Sequence, residues 1–158
     1  MKTAFTILAI LSFLLYAYVV FGLLLIRPFS GLNSGLTFVQ YLRFNSNFIP
    51  FSEIYRKIYQ MATGHPLAHI ARLNLFGNLV IFVPMGFYLP YFLRRMSKFK
   101  VYALSMAILI IAVEVTQLVT GSGIIDIDDF ILNFTGAVVG FAICKYTPIS
   151  RLFKLRMY

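Results

Sequence analysis

The sequence predicts an all-α membrane protein, built as one polytopic bundle of about four transmembrane helices with a short interfacial amphipathic helix in its first outer loop. The composition is 60% hydrophobic and 12% charged, with a mean hydropathy of +0.84. A soluble domain of this size needs about a quarter charged residues, so the chain is too apolar to be one. No linker, internal repeat or low-complexity tract divides the sequence, and we predict one domain over residues 1–158.

The first two apolar runs cover residues 3–26 and 73–93. The first is too long for the apolar core of a cleaved signal peptide, so we predict that it is a retained transmembrane helix. The second contains Pro84 and Pro90, which membrane helices tolerate when neighbouring groups satisfy the freed carbonyls. We therefore predict a kink near Pro84.

The third and fourth runs cover residues 101–119 and 130–146. The third is aliphatic until Glu114, and the fourth carries Gly136 and Gly140 four residues apart. Small residues at this spacing allow another helix backbone to approach closely. We expect this glycine face to pack against another helix, and homo-oligomerisation through it is one option.

A short amphipathic helix is predicted over residues 52–61, in the loop before the second span. Ser52 is a suitable N-cap and Glu53 suits the first helical turn. Ile54, Ile58 and Met61 share one face, whereas Arg56, Lys57 and Gln60 face elsewhere. This pattern is typical of a helix lying in the membrane interface, either as a lid over a site or simply resting on the lipid.

The basic residues predict the orientation in the membrane. They crowd the connection between the second and third spans and the C-terminal tail: Arg94, Arg95, Lys98, Lys100, Lys145, Arg151, Lys154 and Arg156. By the positive-inside tendency both regions are cytoplasmic, and with four spans both termini are cytoplasmic too. The loop over residues 27–72 and the acidic segment after the third span then face outward.

Polar residues converge at one predicted depth near the outer surface. Those at this depth are Asn78, Glu114, Gln117 and Asn133. Asn74 and Asp129 share helix faces with Asn78 and Asn133, and Asp126 and Asp128 complete the acidic cluster beside them. Such groups are costly in hydrocarbon and usually face a protein interior, a partner or water. We interpret them as an outward-facing polar pocket in the outer leaflet, the alternative being that they only pair with one another between helices.

The clustered acids need compensating groups, because neighbouring carboxylates raise each other's pKa. His65, His69 and Arg72 precede the second span on the same predicted side. We therefore include His69 and Arg72 in the ligand-binding set. Pro66 separates the histidines and no tight ligand motif is present, so we predict no metal and no cofactor.

Nucleic acid is not an expected partner, although the net charge is +9, because the basic residues flank apolar runs instead of forming a basic soluble domain. The lipid bilayer is the expected environment. Cys144 is the only cysteine, so an intrachain disulfide is excluded.

Several motifs together resemble one known family. In chain order they are Asn47-Phe48-Ile49-Pro50-Phe51, Asn74-Leu75-Phe76-Gly77-Asn78, Phe82-Val83-Pro84-Met85-Gly86, Leu89-Pro90, Glu114-Val115-Thr116-Gln117, and Asp126-Ile127-Asp128-Asp129 with Asn133, Gly136 and Gly140. Over residues 47–141 they resemble the VanZ-like family of bacterial membrane proteins. The resemblance implies a bacterial cell membrane protein linked to tolerance of lipid-anchored glycopeptides such as teicoplanin. Similar proteins often carry an arginine where this chain has Ser122-Gly123.

Two functions fit these observations. The first, which we favour, is non-enzymatic binding of an amphiphile, such as a lipoglycopeptide or a lipid-linked cell-wall precursor, that modulates the cell envelope. The second is a membrane enzyme acting on a lipid-linked envelope substrate, with Glu114 as general acid or base and Asp126, Asp128 or Asp129 orienting the substrate or binding a metal. Nucleophile and phosphate-loop motifs are missing from the sequence, which favours the first.

Overall fold

The computed structural model describes residues 2–25, 37, 40, 46–120 and 123–147. The elements within this part are α1 (Lys2–Leu25), β1 (Ser46–Asn47), α2 (Ser52–Ala62), α3 (Ala68–Ile81), α4 (Met85–Phe92), a 3-10 turn (Arg94–Ser97), α5 (Phe99–Thr120), β2 (Ile125–Asp126) and α6 (Ile127–Tyr146). The all-α prediction is therefore confirmed. The chain divides into two compact units, the first formed by Met1–Ser46 and Val113–Ile125 and the second by Asn47–Ala112 and Asp126–Tyr158.

Four helical stretches in the described residues are long and apolar enough to cross a membrane: Thr3–Leu24, Ala68–Phe92, Phe99–Thr120 and Ile127–Tyr146. This confirms the number of spans. The second stretch begins at Ala68 and not at residue 73, because the helix continues through the polar residues that precede the apolar run. The fourth begins at Ile127 and not at residue 130, because a side chain caps it there, as described below.

The second span is interrupted near Pro84, as the sequence indicates. Helix α3 ends at Ile81 and α4 begins at Met85, with Pro84 directly before it. Hydrogen bonds from Val83 N to Val80 O and from Met85 N to Phe82 O, at 3.0 and 3.1 Å, tighten the chain between the helices. Proline lacks an N–H group and crowds the preceding turn, which explains the break.

Glycines hold the second unit together. Helices α3 and α4 pack on α6, and a Cβ atom placed on Gly136 or Gly140 would overlap the backbone carbonyl of Leu79 or Val83, respectively. Residue numbers rise together from the Leu79–Gly136 pair to the Val83–Gly140 pair, so α3 and α6 run parallel. The space beside these glycines is occupied by the backbone of the same chain, so a homo-oligomer formed through them would have to displace Leu79 and Val83.

The first half of α5 packs on the last half of α6. The Tyr102 hydroxyl donates to the Ala137 carbonyl at 2.9 Å, and its ring stacks on Phe141 with a centroid distance of 4.7 Å. Tyr102, Met106 and Ile110 are fully buried at intervals of four residues, which is the spacing of one helix face. Helix α5 therefore runs opposite to α3 and α6, as alternating membrane crossings require.

In the first unit, α1 and the end of α5 are joined by a side-chain cap. The Gln117 amide donates from Nε2 to the Leu24 carbonyl at 2.8 Å, and both residues are buried. The last carbonyls of a helix lack partners within that helix, so this bond satisfies an end of α1 that would otherwise be costly in lipid. Most of α1 is exposed and apolar, as expected of a lipid-facing helix.

Candidate functional site

The acidic segment forms the beginning of α6. Asp126 is the N-cap residue, and its Oδ1 accepts a hydrogen bond from the backbone N–H of Asp128 at 3.0 Å. Asp128 and Asp129 lie in the first turn, where negative charge interacts favourably with the helix dipole. The acids are thus part of the helix start and not of a loop preceding it.

Asp128 caps a second helix. Its side chain is fully buried, with Oδ1 accepting from Phe51 N at 2.5 Å and Oδ2 accepting from Glu53 N at 2.7 Å and Ile54 N at 3.0 Å. These donors are at the start of α2 and have no acceptor within that helix. We predicted Ser52 as the N-cap, which is wrong: the Ser52 hydroxyl donates to Ile49 O at 2.8 Å, and a distant carboxylate serves instead.

Asp129 forms an ion pair with Lys57, whose Nζ lies 3.1 Å from Asp129 Oδ1. The Lys57 side chain is only 7% exposed and that of Asp129 is 28% exposed. We predicted that Lys57 faces away from the apolar residues of α2, together with Arg56 and Gln60, and this was wrong for Lys57. Its cation faces the protein because the acids of α6 lie there.

Asn47 links the start of α2 to the start of α6. Its Nδ2 donates to Asp126 Oδ1 and to Ser52 Oγ, both at 3.0 Å, and its Oδ1 accepts from Ile49 N at 3.2 Å. The short strands β1 and β2, which contain Asn47 and Asp126, pair with each other. We refer to Asn47, Lys57, Asp126, Asp128 and Asp129 together as the acidic latch, because they fasten α2 to α6.

Lys57 and Asn47 are the latch residues that sequence reasoning missed as partners of the acids. The only signal for Asn47 was its place in the Asn47-Phe48-Ile49-Pro50-Phe51 motif. Backbone N–H groups carry no sequence signal at all, although they supply the donors to Asp128. We had looked to the histidines and Arg72 for the charges that balance the acids; the hydrogen bonds of the latch use none of them.

Burial raises the pKa of the Asp126 carboxyl above its usual value, and the nearby charge of Asp129 acts in the same direction. The hydrogen bond from the Asp128 backbone, the charge of Lys57 and the hydrogen bond from Asn47 act in the opposite direction without cancelling the effect of burial. The cluster therefore contains a carboxyl that takes up a proton more readily than a free aspartate.

The outer side of α2 and of the turn before it is apolar. Six side chains are exposed by between 48% and 72%: Phe48, Ile49, Phe51, Tyr55, Ile58 and Tyr59. We refer to them as the apolar face of α2. We expected Ile58 to share a face with Ile54 and Met61, yet Ile58 is 48% exposed whereas the other two are half-buried. The helix thus turns Lys57 inward and its aromatic rings outward.

The remaining predicted site residues are distributed as follows. On α3, Asn78 is half-buried and Asn74, Arg72 and His69 are exposed. On α6, Asn133 is 4% exposed, and its Oδ1 has no hydrogen-bond partner among the described residues.

The first unit contains Glu114 and Gln117, both buried. The second contains the three aspartates, Asn78 and Asn133. Within the second unit, Asn133 follows Asp129 of the acidic latch by four residues, about one turn of α6. The parallel packing of α3 brings the helix that carries Asn78 alongside α6.

A group of three or more His, Cys, Asp or Glu side chains able to hold a metal ion does not occur among the described residues. The oxygens of Asp128 already accept from backbone groups, and Asp129 pairs with a lysine. In this structure the acids interact with nitrogen donors of the chain.

The helices and the latch define an integral membrane protein of the multi-span α-helical class. The chain belongs to the VanZ/LLP1 family, whose family model matches residues 13–152. This match confirms the resemblance and extends beyond residues 47–141, from the second half of α1 to residue 152. No curated protein matches the chain, and no solved structure does.

Proposed function

We propose that this protein is a non-enzymatic component of the bacterial cell membrane that binds an amphiphile at the outer leaflet and so contributes to tolerance of lipoglycopeptides such as teicoplanin. The observation that carries the proposal is the apolar face of α2. Exposed apolar surface on an otherwise fastened element marks a contact with lipid or with an apolar ligand.

The acidic latch makes this surface suitable for binding. The backbone donors at the start of α2 and its buried lysine are all held by α6. A surface already held in its bound arrangement loses little conformational entropy when a ligand docks, which favours affinity. An acyl chain lying in the outer leaflet would contact the aromatic rings of this surface.

Polar groups near the latch supply contacts for the head of such a ligand. Oδ1 of Asn133, which has no partner in the described part of the chain, is a hydrogen-bond acceptor, and the Asn78 amide offers both donor and acceptor. In the proposal Asp129 adds a further polar contact, and Arg72, His69 and Asn74 interact with polar or anionic groups at the membrane surface.

The state of the acids favours binding over catalysis. Asp128 is fully buried and its two oxygens accept three backbone hydrogen bonds, whereas Oδ1 of Asp126 accepts two hydrogen bonds. A catalytic acid or base must reach a substrate proton. The competing enzyme hypothesis therefore depends chiefly on Glu114 and on the partly exposed Asp129.

The test is a binding measurement with the full chain in lipid nanodiscs. Fluorescently labelled teicoplanin is titrated against the wild type and against a Tyr55→Ser, Ile58→Ser double variant. Removing apolar contact from these two positions should weaken binding roughly tenfold or more. A Leu104→Ser, Ile108→Ser variant is the matched control, because those residues are similarly exposed on α5.

The proposal also predicts that a glycopeptide without an acyl chain binds weakly, and with equal affinity, to the wild type and to the Tyr55→Ser, Ile58→Ser variant. It is overturned if teicoplanin binding is not saturable or is indifferent to the α2 substitutions. Incubation with labelled lipid-linked cell-wall precursor distinguishes the enzyme hypothesis from the binding hypothesis. Product formation that is lost in Glu114→Gln would show that the protein is an enzyme and would overturn the proposal of non-enzymatic binding.

A further inference from the structure

Five exposed basic side chains lie at one end of the second unit. They are Arg94, Arg95, Lys98, Lys100 and Lys145. The first four surround the 3-10 turn between α4 and the start of α5, and the fifth is in the last turn of α6. We refer to these five residues as the basic end.

Aromatic contacts bring the separate elements of the basic end together. The ring of Phe141 lies 5.6 Å from that of Phe99, the first residue of α5. The Lys145 Nζ lies 5.6 Å from the centroid of the same Phe141 ring. Lys145 is therefore beside the start of α5, where Lys98 and Lys100 are.

The backbone adds to the positive charge there. Hydrogen bonds from Met96 N to Leu93 O and from Lys98 N to Arg95 O compress the connection between α4 and α5 into a single turn. Four cations are thereby confined to seven consecutive residues. They surround the start of a 22-residue helix, whose N-terminus carries partial positive charge.

Acidic residues do not offset this charge. The chain has five of them, and none lies between residues 54 and 113 or after residue 129. The described ion pairs involve only Arg56 and Lys57. The acids of the latch begin α6, and 20 residues of helix place them about 30 Å from its end, beyond the range over which exposed charges interact at physiological salt.

We propose that the basic end is a binding site for the phosphate groups of anionic phospholipids of the surrounding bilayer. The site is at the ends of three candidate membrane spans, the depth at which headgroups lie. Exposed Tyr146 lies at the same end, as aromatic residues do at membrane interfaces. Arginine side chains suit phosphate because two parallel N–H groups contact two oxygens. This inference is independent of the proposed function.

Native mass spectrometry of the full chain released from detergent tests the proposal. The probes are phosphatidylglycerol and phosphatidylcholine of identical acyl chains, and the measurement is the apparent affinity of each. We expect phosphatidylglycerol to bind more tightly. An Arg94→Gln, Arg95→Gln variant should bind it roughly tenfold or more weakly, since each basic residue near an anionic surface contributes about 1 kcal/mol.

The control is an Arg56→Gln variant, which also removes an exposed arginine but leaves the basic end intact. It should keep the preference of the wild type. A Lys98→Gln, Lys100→Gln variant is measured in parallel, so the result does not depend on one pair folding correctly. Equal binding of the two lipids, equal losses in the control, or displacement by millimolar inorganic phosphate would overturn the proposal.

Discussion

The carboxylate of Asp128 completes the start of a helix from which it is separated by about half of the chain. Three backbone N–H groups that α2 cannot satisfy donate to it. In a region near lipid, unsatisfied backbone donors are costly, and water is not freely available to replace the carboxylate. The clustering of acids is thus stabilised by donors from the same chain.

Substitution of Asp128 by asparagine should be strongly destabilising. The Oδ2 atom accepts from both Glu53 N and Ile54 N, and Oδ1 accepts from Phe51 N, so an NH2 group at either position would face N–H donors. Because each buried unsatisfied group costs about 1 to 3 kcal/mol, we expect a loss of about 2 to 6 kcal/mol. Unfolding by sodium dodecyl sulfate titration measures the difference, and a stability equal to the wild type would contradict the capping role.

Asp126→Asn should be tolerated at neutral pH. Both described hydrogen bonds use Oδ1, which asparagine retains, and asparagine is a good N-cap residue. Because the folded-state pKa of Asp126 is raised, the folded protein binds the proton more tightly than the unfolded chain does. The wild type therefore loses stability as the pH rises from the ordinary aspartate pKa through the raised value.

The Asp126→Asn variant lacks this loss. We expect it to be at least as stable as the wild type at pH 7, with an advantage that disappears as the pH falls below about 4, the ordinary aspartate pKa. Thermal unfolding between pH 4 and pH 8 follows the difference. An advantage that grew on acidification would show that the charged form of Asp126 is the stabilised one.

At the scale of the helices, close packing of α3 on α6 depends on glycine. A Cβ atom at Gly136 would overlap the Leu79 carbonyl, whereas a Cβ atom at Gly77 would meet nothing within 4 Å. Gly136→Ala must push the helices apart, and we expect a loss of about 1 to 3 kcal/mol, as for other overpacked cores. Gly77→Ala is the control, and its higher helix propensity should leave stability equal or slightly higher.

Thermal denaturation in detergent compares the two variants. Equal midpoints for Gly136→Ala and Gly77→Ala would mean that α3 and α6 do not approach as closely as the structure indicates.

The number of helices and the position of the break at Pro84 follow from hydropathy and from proline chemistry, both of which are local. Which side of α2 faces outward cannot be predicted from such local properties. Hydropathy places Lys57 away from Ile54 and Met61, but a helix at a membrane surface has lipid on one side and protein on the other. Which side a lysine takes depends on where its partner lies, and Asp129 is 72 residues further along the chain.

At the scale of the molecule, the orientation in the membrane is a prediction that single cysteines can test. Cys144 is the only cysteine, so Cys144→Ala provides the background. Thr63→Cys follows α2, and Tyr146→Cys, at a position that is 77% exposed, ends α6. In intact cells a membrane-impermeant maleimide should label Thr63→Cys and should label Tyr146→Cys only after the membrane is opened. The reverse pattern would invert the predicted topology and place the apolar face of α2 at the cytoplasmic surface.

The sequence could predict the candidate site only in part, because the partners of its residues lie far away along the chain. The amides and acids were found because polar residues are rare in apolar runs, and their approximate depth follows from helix length. Their partners are backbone groups and residues far along the chain, which no local pattern reveals. The division into two units likewise has no composition shift to mark it, because the boundary falls inside α5, a continuous apolar helix.

The separation between α2 and its cap has a consequence for biosynthesis. The donors at the start of α2 precede Asp128 by 77, 75 and 74 positions. A ribosome adding about 5 to 20 residues per second needs several seconds to reach the aspartate. During that interval the N-terminal donors of α2 lack their capping carboxylate, and a polypeptide truncated before position 128 never acquires it. A fully capped α2 is therefore found only in chains whose translation has continued into the last span.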